Sequence, residues 1–400
     1  MTRAGIDDYD VPVLAIGFGV TTLGAIRCLG RAGIPALCVH RDLGFVGSSR
    51  WCRRTEQRIG SGEDLGEFLR RLPIARAVLM PCSDDWVLAT AALDPELARR
   101  FPSSQPGRDA LETLTDKGRF AHALAQNGVP QPRTVLLRSA ADLAPYAETN
   151  LAGYFLKPRD SIAFHRQFGV KAWSVTSRAE AEVRLREARE VGLELVLQEY
   201  VPGPATWHYM LDGFVDREGV IRARFARRRV RMYPPLYGNT SAMFSVPMQE
   251  VAPAMDSLER LLKALSYRGI FSAEFKFDER DGLFKLLEIN PRAWWYVEVP
   301  ARCGVNVCSM AYRDALGLDV ESVESYRTGV RCVNFSADLG NALDAIKNGK
   351  PSAAAAAASS WLRWPHTVFH PDDPFPAVSE ILGRLAKPFR AGRGGKRAQA

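Results

Sequence analysis

Apolar positions fall first in short unbroken runs. Residues 11–16 form one run, which ends in Gly17-Phe18-Gly19. Spacings of three and four follow through Leu23, Ile26 and Leu29 to Gly33, and residues 35–39 form a second run. Buried strand, glycine turn, amphipathic helix and buried strand open a parallel α/β sheet. The pattern repeats as a helix over 64–72, a strand at 77–80, and a helix opened by Pro81-Cys82-Ser83-Asp84-Asp85. Residues 1–110 are therefore expected to form a doubly wound parallel α/β domain. Thr115-Asp116-Lys117 opens a further helix, closed by Asn127-Gly128 with Pro130 and Pro132 beyond.

Past residue 130 the pattern changes. Tyr154-Phe-Leu-Lys157-Pro158 reads as a strand stopped by proline, followed by a helix over 178–191 and a strand at 193–198. Residues 206–290 read as mainly antiparallel, with strands at 207–213, 220–230, 271–277 and 284–289 and a helix at 254–265. Asp281-Gly282 between the last two strands predicts a β-hairpin. The fold class is thus α/β and α+β, a doubly wound domain followed by a two-lobed one. The expected divisions are 1–110, a first lobe at 111–205, a second lobe at 206–330, an extension at 331–387 and a tail at 388–400. The alanine run at 353–358 reads as helix or linker, and the tail as disordered.

Composition narrows the class. Apolar residues make up 46% of the 400 and charged residues 24%, which excludes a largely disordered, collagen-like or disulfide-scaffold chain. The seven cysteines are odd in number and contain no CxxC, and the amino terminus does not read as an export signal. Free thiols in the cytoplasm are expected. No run approaches ~18 uninterrupted apolar residues, so no membrane span is expected. The net charge of +8 has two sources. One is the tail, with Lys387, Arg390, Arg393, Lys396 and Arg397. The other is the set Arg222, Arg224, Arg227, Arg228, Arg229 and Arg231. Neither is interleaved with stacking aromatics, and no nucleic-acid partner is expected.

One cluster carries chemistry. Glu288-Ile-Asn290-Pro291-Arg292 ends a strand, and Glu274 lies on the strand before it. Side chains alternate along a strand, so Glu288 and Asn290 share a face. Pairing about the Asp281-Gly282 turn brings Glu274 near Glu288. Two carboxylates and an amide oxygen suit Mg²⁺, with Mn²⁺ as a substitute, completed by substrate phosphates. The competing reading is two strand acids on a solvated face, against which stand Phe271, Phe275, Phe277, Leu286 and Ile289. Lys117 at a helix start and Lys157 at the end of a buried strand add anion-binding charge. A rival site is the glycine turn at Gly17, Gly19 and Gly24, with Asp42 as a ribose acid. Its GxGxxxxG spacing departs from the dinucleotide fingerprint.

Taken in order, these motifs resemble the ATP-grasp superfamily. They are Thr115-Asp-Lys117, Tyr154-Phe-Leu-Lys157-Pro, Gln198-Glu-Tyr-Val201-Pro-Gly203, Glu274, and Glu288-Ile-Asn290-Pro-Arg292, across roughly residues 110–310. The run Leu-Leu-Glu-Ile-Asn-Pro-Arg-Ala-Trp-Trp is most similar to carboxylate–amine ligases related to D-aspartate ligase. The resemblance implies ATP as the cofactor, with Lys117 and Lys157 on its phosphates. It implies a hinge beside adenine formed by Gln198, Glu199, Tyr200 and Val201. It also implies Mg²⁺ on Glu274, Glu288 and Asn290, and Arg292 on the transferred phosphate. Arg231 is the expected additional contact to a carboxylate or phosphate.

The chain departs from the superfamily after the hinge. No acid appears between Pro204 and His208 to bind the ribose, which leaves Thr206 or His208 as substitutes. A phosphate-covering loop is expected at 159–172, with Ser161, His165, Gly169 and Lys171. Trp294, Trp295 and Tyr296 read equally as pocket wall or core. The expected reaction is ATP-dependent joining of a small carboxylic acid to an amine or amino acid through an acyl phosphate. The alternatives are a carboxylase or kinase of the same superfamily, an NAD-dependent oxidoreductase at the glycine turn, and a non-catalytic nucleotide-binding module. A homodimer is the default assembly, as the commonest closed form among soluble oligomers.

Overall fold

The computed structural model describes residues 11–146, 151–159, 164, 167–170, 172–235 and 238–394, with side chains to Leu385. Strands β1 (Val13–Ile16), β2 (Ala36–His40), β3 (Arg53–Ile59) and β4 (Val78–Pro81) pair in parallel, in the order β3-β2-β1-β4. Helix α1 (Gly19–Arg31) covers one face, and α2 (Leu65–Arg71), α3 (Asp84–Ala91) and α4 (Pro95–Arg100) cover the other. The sheet is doubly wound, as its apolar runs predict. Gly24, inside α1, has a packing role. A Cβ at Gly24 would lie 2.9 Å from Val297 Cγ1, so the bare glycine lets α1 approach the second half of the chain.

Helices α5 (Arg108–Thr115) and α6 (Lys117–Gln126) lead into an antiparallel sheet of order β5-β8-β6-β7. Its strands are β5 (Thr134–Leu137), β6 (Tyr154–Pro158), β7 (Trp173–Val175) and β8 (Leu195–Glu199), backed by α7 (Arg178–Glu190). The third sheet is larger, of order β13-β12-β9-β10-β11-β14. It contains β9 (His208–Val215), β10 (Ile221–Tyr233), β11 (Asn239–Val246), β12 (Gly269–Asp278), β13 (Leu283–Asn290) and β14 (Arg331–Val333). Helix α8 (Ala252–Ala264) packs on one face and shares a core with Phe271, Phe275 and Ile289. Helices α9 (Glu298–Cys303) and α10 (Val307–Ala315) join the core of α1 to that of this sheet.

The carboxyl-terminal part departs from expectation. Helices α11 (Phe335–Lys347) and α12 (Pro351–Arg363) form a pair, so the alanine run is helix. The tail expected to be disordered from 388 continues as backbone of α13 (Phe375–Gly394). Extending an existing helix costs far less than nucleating one, and α13 starts well upstream. All seven cysteines are free thiols. Among the described residues no helix is long and apolar enough to cross a membrane.

Candidate active site

The two antiparallel sheets, with helices α3, α5 and α6, border a cavity of about 1010 Å³. Its floor is one face of the large sheet. Strand alternation puts Ser272, Glu274 and Lys276 of β12 on that face, beside His208 and Met210 of β9 and Arg227 and Arg229 of β10. Across the β12–β13 pair, Glu274 is opposite Glu288 and Ser272 is opposite Asn290. The hairpin therefore brings the three oxygen donors together. A register shift after Glu274 interrupts the ladder beside them. Bulges of this kind re-aim side chains next to sites.

The electrostatics are unequal. Burial alone would raise the Glu274 carboxyl, but Arg229 and His208 hold it well below the usual carboxylate range. Arg229 Nη2 donates to Oε1 at 2.9 Å, and His208 Nδ1 lies 2.7 Å from the same oxygen. Burial lowers the His208 imidazole. Glu288 is more open, its side chain 42% accessible, with Lys117 Nζ 4.0 Å away. Asn290 Oδ1 accepts from Arg292 Nη2 at 3.3 Å. Two carboxyl groups and an amide oxygen suit one hard divalent cation that takes its other ligands from phosphates and water. Among the described residues no group of three or more His, Cys, Asp or Glu side chains gathers as a metal site. A self-sufficient protein cage is therefore not what is built.

The roof comes from the smaller sheet. Asp116 caps α6, accepting from the N–H groups of Gly118 and Arg119, and so places Lys117 at the mouth of the first turn. Lys157 at the end of β6 borders the cavity, its Nζ 5.1 Å from the Phe155 ring. Gln198, Glu199, Tyr200 and Val201 form the adjoining edge. The Glu199 N–H donates to Arg133 O and the Tyr200 N–H to Gly153 O. The Val201 N–H has no partner among the described residues, which leaves one donor on the hinge for a ligand. Ser161, His165 and Lys171 lie outside the described residues, and Gly169 has φ +70°.

Arg231 is not part of this group. Two irregularities of β10 flank it, and beyond them the carboxyl-terminal helices cover the strand. Its Nε and Nη2 both donate to Asp338 at 2.8 Å, Nη2 also donates to Ser360, and its guanidinium lies over Trp364. An arginine fork closed by a buried carboxylate is not available to substrate. Arg227 and Arg229 border the cavity instead. Trp294 and Tyr296 are both wall and core, being 5% and 2% exposed while bordering the cavity, and Trp295 is 38% exposed.

Three further residues join the site in three dimensions. Asp84, the first residue of α3, takes Arg292 in a fork, from Nε at 2.8 Å and Nη2 at 2.9 Å. Its signal in the sequence was an acid at a helix start, which helix dipoles alone explain. Lys276 is 2% exposed, lies against the Tyr200 ring, and is lowered by burial to about 8. Alternation from Glu274 could have found it. Arg227 carried no signal beyond membership of the arginine set.

No family profile matches the chain. It is 26% identical over 227 residues to a D-aspartate ligase of Enterococcus faecium, covering 54% of this chain and 53% of that protein. The match thus spans about half the length of the curated relative. In structure the chain is similar to the L-amino acid ligase of Bacillus licheniformis, with a TM-score of 0.61 and 16% identity, covering 81% of this chain and 79% of that one. It is also similar to the N5-carboxyaminoimidazole synthetase of Staphylococcus aureus, with a TM-score of 0.60 and 15% identity over 81% of each chain. The chain has the fold of the ATP-grasp ligases, as its motifs implied.

Proposed function

We propose that this chain is an ATP-dependent ligase that joins a carboxylic acid to an amine through an acyl phosphate. The observation that carries this reading is the register of Glu274 opposite Glu288, with Asn290 beside them, under Lys117, Lys157 and a hinge in one cavity. The acid's oxygen attacks the γ-phosphorus of ATP and ADP leaves. The amine nitrogen then attacks the acyl carbon, phosphate departs, and the nitrogen loses a proton. Phosphoryl transfer of this kind rests on positioning and charge neutralisation.

In this reading the Val201 N–H meets the adenine edge, and Lys117 and Lys157 hold the phosphates. Glu274, Glu288 and Asn290 would hold Mg²⁺, which neutralises phosphate oxygens when bound. Arg292 stabilises the transferred group, exchanging its Asp84 partner for phosphate oxygens. The two large aromatics beside it keep water from the acyl phosphate. The relative named for D-aspartate makes that acid the first probe.

The test is thermal unfolding with and without MgATP. Ligand at ~100 times its dissociation constant stabilises a fold by about 2.7 kcal/mol. A rise in Tm for the wild type that disappears in Glu288→Ala supports the reading. An equal rise in the variant, or a rise with NAD and none with MgATP, overturns it.

A further inference from the structure

The cavity floor has a direction along β12. Lys276 lies against Tyr200 of the hinge, Glu274 faces Glu288, and Ser272 is opposite Asn290. If the nucleotide base lies at the hinge and the phosphates reach Glu274, the reacting carboxylate lies beyond Glu274. The next position along the floor is Ser272, about 6.7 Å further by strand geometry. The cation standing there is Arg227.

Arg227 is 4% exposed and borders the cavity. Nε donates to Asp212 Oδ2 at 2.6 Å, and Nη2 donates to Asp212 Oδ1 at 3.4 Å and Ser272 Oγ at 3.3 Å. The guanidinium carbon lies 5.7 Å from the Trp294 ring centroid and 5.6 Å from that of Tyr296. Among the described residues Nη1 has no hydrogen-bond partner. Asp212 is 1% exposed and does not border the cavity. One edge of the guanidinium is thus anchored from behind. The nitrogen left over belongs to a buried, rigid cation at the substrate end. Nη1 is not one of the fully buried unpaired atoms, so it keeps open surface, and on a residue that borders the cavity that surface is available to a ligand. Because the fork is held in place beforehand, little side-chain freedom is lost on binding.

We propose that Arg227 is a specificity-determining residue that holds a second carboxylate of the acid substrate, the one that is not phosphorylated. This rests on the ligase reading. The substrate class is then a small dicarboxylic acid of the size of aspartate or glutamate. A planar carboxylate accepts from Nη1, while Ser272 Oγ accepts from Nη2 and its hydroxyl donates to Asp212.

The experiment uses the full chain with MgATP and hydroxylamine, a general amine that converts acyl phosphates to hydroxamates. The acids are D- and L-aspartate, D- and L-glutamate, succinate, and D- and L-alanine. The proteins are wild type, Arg227→Lys, and Arg227→Gln with Asp212→Asn, which removes both charges of the buried pair. The expected result is hydroxamate and ADP from at least one dicarboxylic acid and not from alanine. Its KM should rise tenfold or more in both variants, while KM for ATP and the MgATP-induced rise in Tm stay unchanged. Alanine turned over as well as the diacids, or a diacid KM unaltered in Arg227→Lys, overturns the inference and leaves the ligase reading standing. A wild type stabilised by MgATP that acts on none of these diacids also overturns it. A wild type not stabilised by MgATP sinks the ligase reading itself.

Discussion

Arg229 and Arg231 sit two positions apart on one strand and answer to different ends of the molecule. Arg229 donates to Glu274 in the cavity, and Arg231 closes on Asp338 of α11. Asp338 is fully buried and also accepts from Ser241 Oγ and Trp361 Nε1. Burial alone would raise its carboxyl, but these donors hold it below the ordinary value. Removing one partner of a buried pair costs about 3–5 kcal/mol, because the other charge stays buried. Asp338→Asn should lower stability in urea by that order while leaving the MgATP-induced shift in Tm intact. The pH sign follows from the depressed value. The contribution is whole above the unfolded carboxylate value of about 3.9 and fades as pH falls through the folded one. Melting curves of wild type and variant should therefore converge in acid. A gap that stays constant down to the lowest pH at which the protein folds would remove Asp338 from this role.

At the scale of elements, legibility followed the range of the contacts. The β12–β13 hairpin is local, so its Asp281-Gly282 turn and alternating apolar positions announced it together with Glu274, Glu288 and Asn290. Strand β11 has no such local signal, because Asn239-Thr-Ser241 is made of residue types common in loops. It is buried because its hydroxyls serve arginines and backbone, with Thr240 accepting from Arg229 and Ser245 donating to Arg327 O. The Asp84–Arg292 pair spans 208 positions and the Arg231–Asp338 pair 107, and no local pattern reports such partners. The sheet order hides a further demand. Central strand β9 carries Gly213, paired with Arg224 on one side and Phe271 on the other. A Cβ there would lie 2.2 Å from Ala223 O and 2.5 Å from Phe271 Cζ. Backbone cannot step aside in the middle of a sheet. Gly213→Ala should lose stability at the upper end of the about 1–3 kcal/mol typical of overpacking. Urea unfolding would show this as a lower midpoint at unchanged slope. A loss under about 0.5 kcal/mol, the range of ordinary surface changes, would mean that the sheet relaxes there.

At the scale of the whole molecule, a single arginine ties the start of the chain to its end. Arg27 of α1 has no exposed surface. Its Nε donates to Asp373 Oδ2 at 2.9 Å, Nη1 to Glu298 Oε2 and Thr367 O, and Nη2 to Val368 O and Asp373 O. Asp373 also accepts from Ser49 Oγ and the Arg50 N–H. The segment between α12 and α13 is thereby clamped to α1 and to residues 49–50 before β3, and α9 to α1. A cation with every N–H satisfied can be buried, whereas its removal strands two acids. Arg27→Met should therefore cost about 3–5 kcal/mol. Glu298 softens the loss, since Arg31 and Arg302 also donate to it. Arg27→Met combined with Asp373→Asn should recover part of the stability by neutralising the stranded acid. If the extension is integral to the fold, calorimetry of the single variant gives one transition at lower temperature. The rise in Tm with MgATP should survive, because none of these groups borders the cavity. Two separate transitions would instead show that residues past 331 unfold on their own. The clamp would then be a contact between independent units, not part of one cooperative core.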